Sequence, residues 1–244
     1  MGVTNGQSGT RIDEIAPGIY RVSTPLRNVP GGFSFNQYLI LDDQPLLFHT
    51  GPRGLRELVA EAIATVLPVS KLRFIGFSHY ENDECGALNQ LLAMCPQAEP
   101  VCGQVNAMIN GDAFDRPPRV LADGEALSLG RHRVRWRDAA HLPHAWECGY
   151  LMEETTGPLL CGDLFTQGGS DLKPLIESEI LGPSEAFRKT MDYYSHRANV
   201  RAVMAPLIAA RPTTLACMHG SAWRGDGAEL LTGLATAWER GTQV

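Results

Sequence analysis

Residues 78–86, SHYENDECG, gather one imidazole and three carboxylates between His79 and Glu84, directly after the strand-like run KLRFIGF. None of these groups helps an apolar core. Three further strand-like runs end in the same way. VRWRDAAHLPHAWE places His141 and His144 just after a strand, PLLCGD ends at Asp163, and TLACMHG ends at His219. Taken singly, a histidine after a strand is a capping or surface group, Asp163 before LF is a helix N-cap, and ENDE is an acidic helix start. Recurrence at four strand ends, where loops fixed by rigid strands carry function, points instead to one shared site. Imidazole and carboxylate donors suit iron, manganese or zinc. In an extended loop His79, Glu81 and Asp83 face one side, because side chains alternate. One metal is expected among His79, Glu81 and His144, and a second among Asp83, His219 and Glu84, with Asp163 as the bridge. Two metals roughly 3.5–4 Å apart are a common device for activating water or a diatomic ligand.

The elements that must position these residues follow from the hydrophobic pattern. IDEIAPGIYRVS reads as two strands around a Pro-Gly turn, and NQYLILDDQPLLFHT as a hairpin turning at DDQP. Leu55, Leu58, Val59, Ala62, Ile63, Val66 and Leu67 fall at helical spacing between Pro52, which opens the helix, and Pro68, which stops it. After KLRFIGF a helix is expected near Glu84 (ECGALNQLLAMC), then a short strand EPVC and a helix near QVNAMI. Strands RHRVRWR, CGYLMEE and GPLLCGD follow, then helices SEAFRKTMDYYSHR and VRAVMAPLIAA, strand TTLACM and a closing helix GAELLTGLATAW. Alternation alone would suggest a doubly wound sheet. The two hairpin-rich blocks argue for an α/β fold of another kind, an αββα sandwich of two mixed β-sheets with helices on the outer faces. Residues 1–10 are expected to be a flexible polar tail, and 11–244 a single domain.

Composition narrows the function classes. At 244 residues, 44% hydrophobic and 20% charged, the chain is an ordinary globular protein able to bury a sizeable core. A net charge of −6 without a basic stripe argues against nucleic acid and anionic membranes as partners. No apolar run approaches a membrane span, and MGVTNGQSGT lacks the regions of a secretory signal, so a cytoplasmic location is expected. The six cysteines form no C-x-x-C pair and mostly lie in apolar runs, which fits reduced, buried thiols. Cys85 abuts the acidic stretch as either a structural or a redox-sensitive thiol. Tyr80, Trp146, Phe165 and Trp223 flank the ligand candidates, as core aromatics or as the lining of a dry pocket. No nucleophile elbow, P-loop or H-E-x-x-H motif is present, and GPRGLRE lacks the glycine pattern of a dinucleotide site.

The stretches FNQYLI, SHYENDECG, HLPHAWE, LLCGDLF and CMHGS resemble the metallo-β-lactamase superfamily over nearly the whole chain. Most zinc hydrolases of that superfamily carry His-x-His-x-Asp-His in the first motif. Glu81 in place of the second His resembles the diiron domain of flavodiiron proteins, which reduce dioxygen or nitric oxide, and the stand-alone oxygen-binding diiron proteins. The spacing between His144 and Asp163 fits that group and favours His144 over His141 as the ligand. Two positions depart from the pattern: Glu84 replaces a His, and His49 stands where relatives commonly carry Asp.

The resemblance implies a binuclear metal protein, with iron favoured over zinc or manganese, that binds or reduces dioxygen or nitric oxide. Its ligands would be His79, Glu81, Asp83, Glu84, His144, Asp163 and His219, with no further catalytic residue. No flavin motif is visible, so a core without its own flavodoxin domain is expected, with electrons coming from a separate protein or a signal passing to one. Relatives in the diiron group often pair head to tail, which implies a homodimer. The alternative is a zinc-dependent hydrolase of the same superfamily acting on an ester, thioester, lactone or lactam; Glu81 speaks against it.

Overall fold

The structure is a computed structural model and describes residues 2–196 and 198–241. Among these residues, one sheet holds β1 (Gly2–Asn5), β2 (Thr10–Ala16), β3 (Ile19–Leu26), β4 (Phe33–Ile40), β5 (Leu46–Phe48), β6 (Phe74–Gly76), β7 (Glu99–Gly103) and β8 (Arg119–Leu121), in that order. The other holds β9 (Ala126–Ser128), β10 (Arg133–Asp138), β11 (Gly149–Glu153), β12 (Pro158–Leu160), β13 (Leu175–Ile176), β14 (Thr214–Ala216) and β15 (Ala222–Arg224), ordered β13-β15-β14-β12-β11-β10-β9. Both sheets are mixed: β1 to β5 pair antiparallel and β5 to β8 parallel. In the second sheet, β12 and β14 run parallel between antiparallel neighbours.

Alternation along the strands builds three apolar layers. Tyr38, Ile40, Leu46, Phe48, Phe74 and Val101 point between the sheets, where they meet Val134, Trp136, Leu151, Leu160 and Ala216. Their neighbours Leu39, Leu47, Ile75 and Cys102 point outward onto α1 (Arg56–Ala64) and, beyond the short α2 (Asn82–Cys85), onto α3 (Leu88–Met94). On the second sheet Tyr150, Met152, Leu159 and Leu215 turn outward instead. After α4 (Gln104–Asn110) and α5 (Leu181–Met191), α6 (Val200–Ala209) and α7 (Gly227–Gly241) cover that face. The αββα sandwich expected from the sequence is the fold, because period-2 alternation places apolar residues on both faces of each sheet.

Three expectations need correction. The polar N-terminus is not a frayed tail over its described residues: Gly2–Asn5 pair with β2, Gly2 opposite Ile12, adding an edge strand held by backbone hydrogen bonds and by the Thr4 and Asn5 side chains, which donate to Thr10 O and Glu61. The helix near Glu84 is two, since α2 ends before α3 begins. Gly86 lies at that break, where a Cβ would come within 2.3 Å of the Asn82 carbonyl oxygen. The helix expected over SEAFRKTMDYYSHR starts at Leu181 and stops at Met191, because Asp192 takes a left-handed conformation (φ 48°). Arg197, the last residue of that expected helix, lies outside the described residues. The short strands β8, β9, β13 and β15 have no sequence period of their own and exist by pairing. No helix among the described residues is long and apolar enough to cross a membrane.

Candidate metal centre

Strand direction delivers the ligand candidates to one edge. β10 and β12 both run antiparallel to β11, and β14 runs parallel to β12. The loops after these three strands therefore emerge together, carrying His144, Asp163 and His219. The loop after β6 brings His79 and Glu81 from the other sheet. The alternation expected for that loop ends at Glu81, which is extended (φ −129°, ψ 164°), and the first turn of α2 supplies Asp83 and Glu84.

The side chains converge as two groups. His144 Nε2 lies 3.1 Å from His79 Nε2 and 3.1 Å from Glu81 Oε1, and Asp163 Oδ2 is 3.6 Å from both imidazole nitrogens. Asp163 Oδ1 turns the other way, 3.2 Å from His219 Nε2, which is itself 3.5 Å from Asp83 Oδ2. His79, Glu81 and Glu84 form a ligand-competent trio, as do His79, His144 and Asp163, and Asp83, Glu84 and His219. All seven expected residues thus meet, whereas His141 enters none of these groups.

The far side of each ring is anchored. His144 Nδ1 is 2.9 Å from the Tyr193 carbonyl and His219 Nδ1 is 2.9 Å from the Ser34 carbonyl, so both Nδ1 atoms carry the proton and donate it. His79 Nδ1 is 3.0 Å from Ser78 Oγ, which is 3.0 Å from His49 Nε2. The Ser78 backbone N–H also donates to His49 Nε2 (3.3 Å), so that nitrogen is an acceptor. The hydroxyl then donates to His49 and accepts from His79 Nδ1–H. In all three rings the Nε2 lone pair faces the centre, the tautomer a metal requires. Two such lone pairs 3.1 Å apart, on His79 and His144, repel unless a cation or a proton lies between them.

The electrostatics follow from crowding. Burial alone would depress His79, but Glu84, Glu81 and Asp163 outweigh it and hold its pKa well above the usual value. His144 and His219 are raised against the same burial, chiefly by Glu81 and Asp163 respectively. The imidazoles of His144 and then His79 beside it pull Glu81 down to about 2. Burial, then the nearby Asp163, push Glu84 well above the carboxylate range. His49 is pushed down to about 3 by burial and stays neutral. Cys85 is buried and lifted to about 12, first by burial and then by Glu84, which makes it an inert thiol. All six cysteines are free and buried.

The centre fits two divalent cations. Both Glu84 oxygens and Asp163 Oδ1 are buried without a hydrogen-bond donor. Four carboxylates and three imidazoles make an oxygen-rich donor set, suited to iron or manganese.

Several residues that shape the site carried no signal in the sequence. The loop 217–220 is tied down by Asn36 Nδ2, which donates to the carbonyls of Cys217 (2.9 Å) and Gly220 (2.8 Å). Tyr38 Oη donates to Cys217 O (2.6 Å) and buried Arg21 to Gly220 O (2.6 Å). Gly220 has φ 90°, and its N–H donates to Ser34 Oγ (3.0 Å). Phe33 stacks on the His219 ring at 4.3 Å, Phe35 meets it edge-on at 5.6 Å, and Tyr193 meets His144 at 6.0 Å. Of the aromatics expected to flank the ligands, Tyr80 and Trp146 are exposed, while Phe165 and Trp223 are core. The one available hint was a run of polar residues, Ser34, Asn36 and Gln37, within an otherwise apolar strand.

No family model matches the chain. It is similar to the rubredoxin-oxygen oxidoreductase of Megalodesulfovibrio gigas, 27% identical over 143 residues, covering 57% of this chain and 35% of that protein. It is also similar to the anaerobic nitric oxide reductase flavorubredoxin of Salmonella arizonae, 23% identical over 225 residues, covering 82% of this chain and 43% of the relative. The solved rubredoxin oxygen:oxidoreductase of Desulfovibrio gigas superposes with a TM-score of 0.80 at 22% identity, over 96% of this chain and 62% of that one. The flavodiiron protein of Giardia intestinalis superposes with a TM-score of 0.76 at 20% identity, over 95% and 60%.

The chain has the fold of the flavodiiron core. It spans well under half the length of these curated relatives. The αββα sandwich supplies the scaffold on which the oxygen-rich donor set of this chain is assembled.

Proposed function

We propose that this chain is a binuclear metal protein, with iron in both positions, that binds or reduces dioxygen or nitric oxide. The observation that carries it is the two-sided Asp163 carboxylate, with Oδ2 toward His79 and His144 and Oδ1 toward His219. The names of the curated relatives, an oxygen oxidoreductase and a nitric oxide reductase, support the choice of ligand. His79, Glu81 and His144 would hold one ion, Asp83, Glu84 and His219 the other, and Asp163 both. Two ferrous ions held there would supply one electron each to the bound diatomic molecule.

The protein's part is geometric and electrostatic. The Nδ1 anchors at Ser78, Tyr193 and Ser34 stop the three rings from turning. Phe33 and Phe35 pack on His219, and Tyr193 on His144, so apolar surface borders these two rings and suits a small, weakly polar ligand. The four carboxylates would balance the charge of two divalent ions. Turnover calls for a separate electron-donor protein, and a second copy of the chain is proposed as partner.

The test is metal content and gas response on protein purified without oxygen or chelators, with ferrous iron and zinc reconstituted separately. About two irons per chain and a new near-ultraviolet band on exposure to oxygen or nitric oxide are expected. Two zinc ions retained against ferrous iron, with no response to either gas, would overturn the proposal.

A further inference from the structure

Glu84 differs from the other ligand candidates in the company it keeps. It groups with His79 and Glu81 on one side and with Asp83 and His219 on the other. Its Oε2 is 3.9 Å from His79 Nε2, and the residue is 0% exposed. Neither oxygen meets a hydrogen-bond donor. The backbone beneath is pinned: the Thr50 N–H (2.7 Å) and Oγ1 (3.3 Å) both donate to the Glu84 carbonyl, and the Cys85 N–H donates to Glu81 O (2.9 Å). Glu84 is therefore held in the centre.

A carboxylate removed from water with no donor on either oxygen costs several kcal/mol; a proton relieves that cost in the metal-free protein, and cations against both oxygens would repay it in the loaded one. A histidine at this place would offer one nitrogen to one ion. A carboxylate offers two oxygens, which can serve an ion each. Asp163 already faces both subsites, and Glu84 is the second residue whose neighbours lie on both sides.

We propose that Glu84 is a second bridging carboxylate, shared by the two metal positions, and not a ligand of one of them. Bridging rests on the binuclear assignment proposed above. It makes the two sites interdependent: each ion helps to hold the carboxylate that the other uses. It also couples the ions electronically through two carboxylates where Asp163 alone would give one.

The experiment uses the full chain stripped of metal and titrated with Mn(II), comparing wild type with Glu84→Gln and Glu84→His by calorimetry and electron paramagnetic resonance. Wild type is expected to bind two Mn(II) per chain with an exchange-coupled signal. In Glu84→His the affinity should fall at both positions, by at least the roughly 10- to 100-fold that loss of an outer partner costs, and the coupling should weaken. The near-isosteric Glu84→Gln should follow the same course, and unfolding of both metal-free variants checks that they fold. Loss of one ion with the other's affinity unchanged would make Glu84 a one-metal ligand and overturn the proposal. Wild-type affinity and coupling in both variants would overturn it as well. Failure of wild type to take two ions would remove the binuclear assignment itself, an outcome seen before any variant is compared.

Discussion

Replacing His49 by Gln should flatten the acid sensitivity of the metal-free protein. His49 is wholly buried, its Nε2 accepts from Ser78, and its Nδ1 has no hydrogen-bond partner. Burial brings its pKa from the ordinary 6.5 to about 3. Below pH 6.5 the unfolded chain therefore takes up a proton that the folded chain refuses until about pH 3. The stability this contributes is complete above 6.5 and is lost as pH falls, at about 1.4 kcal/mol per pH unit. At pH 4.5 the loss is about 2.7 kcal/mol. Gln offers an oxygen close to the position of Nε2 and cannot ionise. His79, His144 and His219, whose raised pKa values act in the opposite sense, are common to both chains and cancel in the comparison. The assay is urea unfolding of chelator-treated wild type and His49→Gln at pH 7 and pH 4.5. Wild type should lose about 2–3 kcal/mol more than the variant on acidification. Equal losses would refute the assignment of His49 as a buried neutral base.

Two further outcomes follow from the same geometry. Metal binding should release protons at pH 7 and strengthen as pH rises, because the three ligand histidines hold their protons more tightly than usual and must give them up; calorimetry in buffers of different ionisation enthalpy measures the number. Asn36→Leu should destabilise the metal-free protein by about 1–3 kcal/mol, since the carbonyls of Cys217 and Gly220 lose a buried donor. It should also weaken metal binding through His219, read as a lower metal-supported melting temperature.

The αββα architecture was legible from the order of the elements, two hairpin-rich blocks among β-α units, and from runs apolar on both faces: Leu39, Leu47 and Ile75 face outward while Ile40, Leu46 and Phe74 face inward. The N-terminal strand was not, since Gly2–Asn5 have no apolar face and join the sheet by backbone hydrogen bonds, which any sequence can make. The premature end of α5 turned on a single left-handed residue, Asp192, where no glycine or proline marks a stop. That ending matters, because it frees the Tyr193 carbonyl for His144 Nδ1.

By itself, the sequence determined the chemistry of the donor atoms and their place at the ends of four strands. Residue type sets ligand hardness and charge, and local pattern sets where a strand stops. Only the tertiary structure decided which nitrogen of each histidine faces the centre, that Phe33 covers His219, and that Glu84 has neighbours on two sides. Those features depend on carbonyls and rings brought together from distant segments by sheet register and packing. A carbonyl is the same group at every residue, so its selection as a partner cannot be read from the residue that carries it.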